Sequence, residues 1–266
     1  MRSCDVLIVG GGPAGSTAAW QLRLAGAPVV QHNVRHIRAQ EGGYVIDEAF
    51  RCRYLIGAGG TRCPVYRELF RELNPRAAEL QIVTLEHEIA YDWTDGDCHL
   101  WFFEQGLPGY SWYVPKERGW LNVGVGAIAE RLKARGQDIR AHWAHLAATL
   151  DRALAPGAEY DPGGFSYYLR GKVEIVRRDN AFITGDAAGL ASRDLGEGIG
   201  PAVRSGLRAA RAILGHEPYQ LEDVTGLSVG SIARSMLGRF APAAVGSGWR
   251  ARAAGGSAHG LRHGDQ

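Results

Sequence analysis

Three glycines, Gly10, Gly12 and Gly15, follow the apolar run Val6-Leu7-Ile8-Val9 and open a stretch of small, helix-compatible residues. This spacing does chemistry when a strand precedes it and a helix follows it. Gly10 permits a tight turn, Gly12 lets a pyrophosphate touch the backbone, and Gly15 lets helix and strand pack closely. Pro13 and Ala14 complete the turn. The helix start then offers unpaired N–H groups and a partial positive charge to phosphate. A dinucleotide is the expected ligand. The plain alternative is a glycine-rich strand-to-helix turn that holds nothing.

The same fingerprint calls for an acid about 20 residues further on, to hold the adenosine ribose. Here the second apolar run, Pro28-Val29-Val30, leads to Gln31-His32-Asn33, and the first carboxylate after it is Glu41. Asn33 is a weaker partner for a hydroxyl, whereas Arg35 or Arg38 would favour a phosphorylated ribose and hence NADP. Two later segments carry chemistry of their own. Gly185 and Asp186 follow the apolar run Ala181-Phe182-Ile183-Thr184. A strand-end carboxylate among small residues suits a hydroxylated chain flanked by phosphate. Gly196, Glu197, Gly198 and Ile199 lead into a helical stretch with Pro201 at its start, whose N-terminus would stabilise negative charge. A Gly-Asp pair is also an ordinary turn and cap. It gains meaning only beside the N-terminal glycines.

These residues need elements to hold them. Helix is expected from about Ser16 to Ala25, and Gly26 closes it. Tyr44-Val45-Ile46-Asp47 reads as a short strand, and Phe50 to Ile56 as a half-exposed strand that becomes fully apolar at Leu55-Ile56. A helix from Pro64 to Leu73 follows the glycines at 57, 59 and 60. From Gln81 to Ala127 the pattern becomes an aromatic-rich antiparallel sheet, with strands at His87–Tyr91, His99–Phe103, Tyr110–Pro115 and Trp120–Val125. Ile139, Trp143, Leu146 and Leu150 mark an amphipathic helix. A last helix runs from Pro201 to about Leu214, and Ala241–Gln266 reads as poorly ordered.

Three blocks, Asp5–Ala25, Arg53–Val65 and Asn180–Leu214, resemble the geranylgeranyl reductase and p-hydroxybenzoate hydroxylase-like superfamily of FAD-dependent oxidoreductases. A fourth, PGYSWYVPKERGWLNVGVG at Pro108–Gly126, resembles the substrate sheet of the geranylgeranyl reductase branch. The resemblance implies an α/β fold: a Rossmann-like FAD-binding domain, a parallel sheet with helices, and an antiparallel β-sheet substrate domain inserted into it. The FAD-binding parts would span residues 1–75 and 172–218, the substrate sheet 76–171, and a C-terminal extension 219–266. It also implies FAD as cofactor, NAD(P)H as a candidate electron donor, and hydride transfer from reduced flavin to an apolar unsaturated substrate. Monooxygenation is the alternative. The roles it carries over are Gly10, Gly12 and Gly15 for the pyrophosphate, Asp186 for the ribityl chain and phosphate, and Gly196–Ile199 for the flavin ring. Two departures stand out. The middle block reads Gly57-Ala58-Gly59-Gly60 where the superfamily has an acid at the third position, and the Ser16–Ile56 interval is many tens of residues short. A non-catalytic relic is therefore a third reading.

Softer candidates complete the list. Trp101, Phe103, Tyr110 and Trp112 are candidates for an apolar substrate pocket, though alternation sends about half of any such set to the other face. Tyr110–Pro115 also resembles the WxWxIP stretch of flavin-dependent halogenases, without its first Trp. His142 and His145 share a helix face with no third ligand, so no metal is expected and both are read as solvated. Cys63 is either a redox thiol near the flavin or a buried structural residue. The four cysteines lack CxxC spacing and read as reduced thiols of a cytoplasmic protein. A net charge of +2 with scattered Lys and Arg excludes a nucleic-acid footprint. No apolar run reaches the ~18 residues of a membrane span, which leaves only peripheral membrane contact.

Overall fold

The computed structural model describes residues 1–117 and 119–224, which build two sheets. Strand β1 (Arg2–Val9) is fully apolar in its second half because Val6–Val9 are covered on both faces, as a central parallel strand requires. Helix α1 (Pro13–Leu24) begins with Pro13 in its first turn, three residues earlier than the sequence indicated. Strand β2 (Val29–His32) then returns parallel to β1, with Val6 opposite Val29 and Val9 opposite His32.

The short interval that follows is a β-hairpin. Strand β3 (Ile37–Gln40), which the sequence pattern did not reveal, pairs antiparallel with β4 (Gly43–Ile46). In turn, β4 pairs with the first half of β5 (Phe50–Gly57), whose other edge runs parallel to β1. The hairpin is pinned by Asp47, which lies just past β4 with φ 50° rather than in the strand. Its Oδ1 accepts from the N–H of His36 at 2.7 Å and of Arg35 at 3.0 Å, and its Oδ2 faces His32 Nε2 at 3.3 Å. Burial disfavours this charge, but the two N–H groups and His32 outweigh it and hold the carboxyl below its usual value. A depressed carboxyl stabilises the fold above the unfolded-state value and loses that contribution as pH falls through the native one. Asp47→Asn should therefore lower stability at neutral pH and flatten the acid limb of the unfolding curve. An acid limb identical to the unsubstituted protein's would remove Asp47 from this role.

The second sheet consists of β6 (Gln81–Ala90), β7 (His99–Phe102), β8 (Gly109–Lys116), β9 (Trp120–Ile128) and β10 (Gly163–Tyr168), in the order β10-β6-β9-β8-β7 and antiparallel throughout. Helices α2 (Ala129–Ala134) and α3 (Ile139–Ala153) cover one of its faces. There Leu146 and Leu150 pack on Tyr113, Leu121 and Val123, while Leu132 meets Leu107, Val125 and Ala127. His142 lies in this covered layer at 8% exposure rather than in solvent. Burial and then neighbouring His145 push its pKa down. No group of three metal-ligating side chains occurs among the described residues.

The chain returns to the first sheet through β11 (Arg177–Arg178) and β12 (Ala181–Ile183), and β12 lies parallel to the second half of β5. Helix α4 (Ile199–Ile213) then packs on α1. Small residues permit that approach: a Cβ on Gly206 would sit 2.2 Å from the Ala14 carbonyl oxygen. The helix expected over Pro64–Leu73 forms from Pro64, takes a π-helical form at Tyr66–Phe70 and gives way to a turn before Leu73. Among the described residues no helix is long and apolar enough to cross a membrane. The reading of Ala241–Gln266 falls outside them.

Candidate functional site

The C-terminal ends of β1, β5 and β12 lie side by side. Ala58 N–H donates to the Val9 carbonyl at 2.9 Å, and Thr184 N–H and Oγ1 donate to the Gly57 carbonyl at 2.9 and 3.2 Å. Ligands bind beyond this edge in open parallel sheets. Each glycine of the first turn has its own reason there. Gly10 has φ +102° and lies against the next strand end, so a Cβ would meet the Ala58 oxygen at 2.4 Å. A Cβ on Gly15 would lie 2.2 Å from the Gly10 oxygen. Gly12 is different: nothing stands within 4 Å of its would-be Cβ, and it caps α1 in an extended conformation. The cradle at Gly12 is thus open and faces the start of a helix, the geometry a pyrophosphate needs. Pro13 and Ala14 form the first turn of that helix, with Ala14 buried.

Gly185 and Asp186 begin a tight turn beside it. Gly185 has φ +53°, its N–H donates to Ser205 Oγ at 2.9 Å, and its would-be Cβ touches both Ala14 and Ala202 at 3.3 Å. The turn is wedged between the starts of α1 and α4. Burial raises the Asp186 pKa, and Arg76 only partly offsets this. Arg76 is a residue that the sequence did not single out. Its guanidinium donates to the carbonyls of Thr61, Asp186 and Ala187 and lies over the Tyr66 ring, 3.8 Å from its centre. It staples the loop after β5 to the Asp186 turn.

Gly196 to Ile199 form the approach to α4. Glu197, an exposed residue, accepts from Gly200 N–H and so caps the start of the helix. Gly198 brings this helix start to Asp186, with a would-be Cβ 3.4 Å from Asp186 Oδ1, and Ile199 is exposed. Gly196 lies under Tyr167, whose hydroxyl stands 2.5 Å from its would-be Cβ. Tyr110 Oη donates to the Leu195 carbonyl at 2.6 Å. The segment before α4 therefore docks on the uncovered face of the antiparallel sheet.

That face carries Tyr110, Trp112 and Phe102, because Tyr110 pairs with Phe102 while Trp112 pairs with Leu100. The Trp112 ring lies over Gly124, where a Cβ would clash at 2.0 Å, and its Nε1 donates to Asn122 Oδ1 at 2.7 Å. Trp101 pairs with Ser111 and packs with Tyr113 on the opposite face, under α3. Phe103 lies in a left-handed turn at the sheet edge, 70% exposed. Only Tyr110 and Trp112 of the four expected pocket residues share the uncovered face. Glu86 joins them there, opposite Gly124 and Gly163 in the neighbouring strands. Burial pushes its carboxyl up, with Lys116 opposing the shift. Tyr167 is likewise raised by burial, then by Tyr110, Asp186 and Glu86. Cys63 is fully buried and its thiol is raised by burial, which makes it a structural residue rather than a ready nucleophile.

No family model matches the chain. In sequence it is similar to digeranylgeranylglycerophospholipid reductase 3 of Methanosphaera stadtmanae, 29% identical over 192 residues that make up 66% of this chain and 45% of that protein. It is also 29% identical to the menaquinone reductase of Mycobacterium tuberculosis, over 61% of this chain and 41% of the relative. The matched stretch thus spans less than half the length of these curated relatives. In fold it is similar to a geranylgeranyl bacteriochlorophyll reductase-like protein from Thermoplasma acidophilum, with a TM-score of 0.66, 17% identity, and coverage of 90% of this chain and 84% of that one. A probable FAD-dependent monooxygenase from Pseudomonas aeruginosa gives 0.57 at 14% identity, covering 88% and 92%.

Proposed function

We propose that this chain, a distant homologue of the geranylgeranyl reductase and menaquinone reductase-like FAD-dependent oxidoreductases, is itself an FAD-binding reductase that acts on an apolar unsaturated substrate. The observation that carries this reading is the convergence of three features at one sheet edge: the open Gly12 cradle, the half-buried Asp186 carboxylate and the start of α4. These residues fit FAD. The first turn and the α1 N-terminus suit its pyrophosphate, Asp186 suits its ribityl hydroxyls, and α4 brings a partial positive charge to the electron-accepting edge of the ring.

Bound FAD would supply the hydride chemistry, and the protein supplies orientation and electrostatics. Tyr110 and Trp112 offer an apolar wall that keeps water from a hydrocarbon substrate. Glu86 lies on that wall, and its burial holds its proton to higher pH than in an ordinary glutamate. An anaerobic assay against isoprenoid alkenes with NAD(P)H, run beside NAD(P)H-driven O2 uptake, tests the reading. Alkene reduction without substrate-stimulated O2 consumption is expected. Stimulated O2 uptake with a hydroxylated product would move the assignment to monooxygenation, and neither activity from a protein with FAD bound would remove both.

A further inference from the structure

The end of β2 has a feature that the flavin reading leaves unexplained. A cavity of about 730 Å³ opens between the Gly10–Gly11 turn, the β2–β3 connection and the segment after β5. Asn33 and Arg35 line it from one side, and Arg62 and Arg67 from the other. No carboxylate is among its lining residues. Asp47, close to His32, faces the hairpin and is satisfied by the N–H groups of Arg35 and His36. Glu68 pairs with Arg67 at 2.8 Å, whereas the side chains of Arg35 and Arg62 have no carboxylate partner among the described residues. Arg38, the other arginine of this region, pairs with Glu48 at 3.3 Å.

In a dinucleotide site the adenosine ribose lies at the end of the second strand. An acid there selects a free 2′-hydroxyl, and an arginine accommodates a 2′-phosphate. This chain has the arginines without the acid. We propose that the cavity takes the ribose phosphomonoester of an adenine nucleotide, with Arg35 and Arg62 as its cations, so that the adenosine 2′-phosphate class, which includes NADP(H), binds at the Gly10–Gly15 turn. The inference shares with the proposed function the reading of that turn as a dinucleotide site, but does not need FAD to be the ligand. The ADP part of FAD and a 2′-phosphoadenosine use the same turn, so the two exclude one another. A phosphorylated nicotinamide dinucleotide would then act as a competitor of FAD as well as an electron donor.

The test is calorimetric titration of the full chain with adenosine 2′,5′-bisphosphate and with 5′-AMP, which lacks only the 2′-phosphate, alongside FAD. Two charge-assisted contacts predict roughly tenfold or more tighter binding of the bisphosphate, with an advantage that shrinks as salt rises. The double variant Arg35→Ala/Arg62→Ala, at two exposed positions, should keep its Tm and its 5′-AMP affinity and lose the advantage. Equal affinities, or an advantage that survives the double variant, overturn the inference. If FAD and 5′-AMP bind and the bisphosphate gains nothing, the inference fails and the flavin reading stands. Tight bisphosphate binding without FAD binding supports the inference and removes the flavin. Absence of binding by all three nucleotides overturns both.

Discussion

Gly15→Val will lose both stability and FAD, whereas Gly12→Ala will keep its fold and lose FAD alone. A Cβ on Gly15 would stand 2.2 Å from the Gly10 oxygen and 3.2 Å from Ala58 Cβ. The nearest of these is backbone at the centre of the turn, so no side-chain rotation relieves the contact. Overpacking of this kind costs about 1–3 kcal/mol or more, and the displaced turn would no longer present its N–H groups. Gly206→Val should behave alike, because its Cβ would press on the Ala14 oxygen across the α1–α4 contact. Gly12 has empty space around its would-be Cβ and a negative φ, so alanine is tolerated there by the protein itself. The added methyl occupies the surface that a pyrophosphate must touch. Thermal unfolding with FAD titration separates the two cases. A Gly12→Ala protein that binds FAD as before would mean that the pyrophosphate does not lie on this turn.

The second large effect is at Asp186, where stability and binding should move in opposite directions. Burial raises its pKa, with Arg76 offsetting only part of the shift. A carboxyl whose native value exceeds its unfolded value binds more protons in the native state. Its contribution is therefore present below the unfolded value and lost as pH rises through the native one. Asp186→Asn removes that decline, so the apoprotein should be as stable as the parent or more so at neutral pH. The same change replaces the charged acceptor for the ribityl hydroxyls with a neutral amide that keeps one acceptor oxygen. Hydrogen bonds to charged groups contribute about 1–1.5 kcal/mol more than neutral ones, which corresponds to roughly a 5- to 10-fold weaker FAD affinity. A variant that loses stability and retains FAD affinity would reverse both assignments and make Asp186 a structural residue.

The parts of this site legible in the sequence are those where chemistry or geometry restricts the residue type. Gly10 and Gly15 could be read because only glycine tolerates carbonyl oxygens so close to Cα. The strand ends at Val9, Gly57 and Ile183 were readable from apolar runs that stop at glycine. Strand β3 was not, since Ile37-Arg38-Ala39-Gln40 is four residues long, carries a single large apolar side chain and pairs on one side only. Strand β10 opens with two glycines and hides its partner, β6, some 80 residues away. The sorting of Trp101 from Trp112 depends on cross-strand register, in which one residue decides the face. Arg76 was invisible for a related reason: its partners at Asp186 and Ala187 are 110 and 111 residues distant in the chain. Glu197 has a contact that its place in a glycine-rich approach did not reveal: its carboxylate accepts from Gly200 N–H in its own helix.

The hairpin of β3 and β4 also bears on the relic reading. The short interval before β5 leaves only Arg53 and Tyr54 between the part of that edge paired by β4, Phe50–Cys52, and the part paired by β12, Leu55–Gly57. What the interval lacks is the ribose acid, and this places the burden of cofactor binding on the first turn and Asp186. The most direct test is the visible absorption spectrum of the purified protein, with the released cofactor identified after heat denaturation. The account predicts a flavin spectrum and release of FAD in near-stoichiometric amount, or its uptake when FAD is added. A colourless protein that takes up no FAD would contradict it.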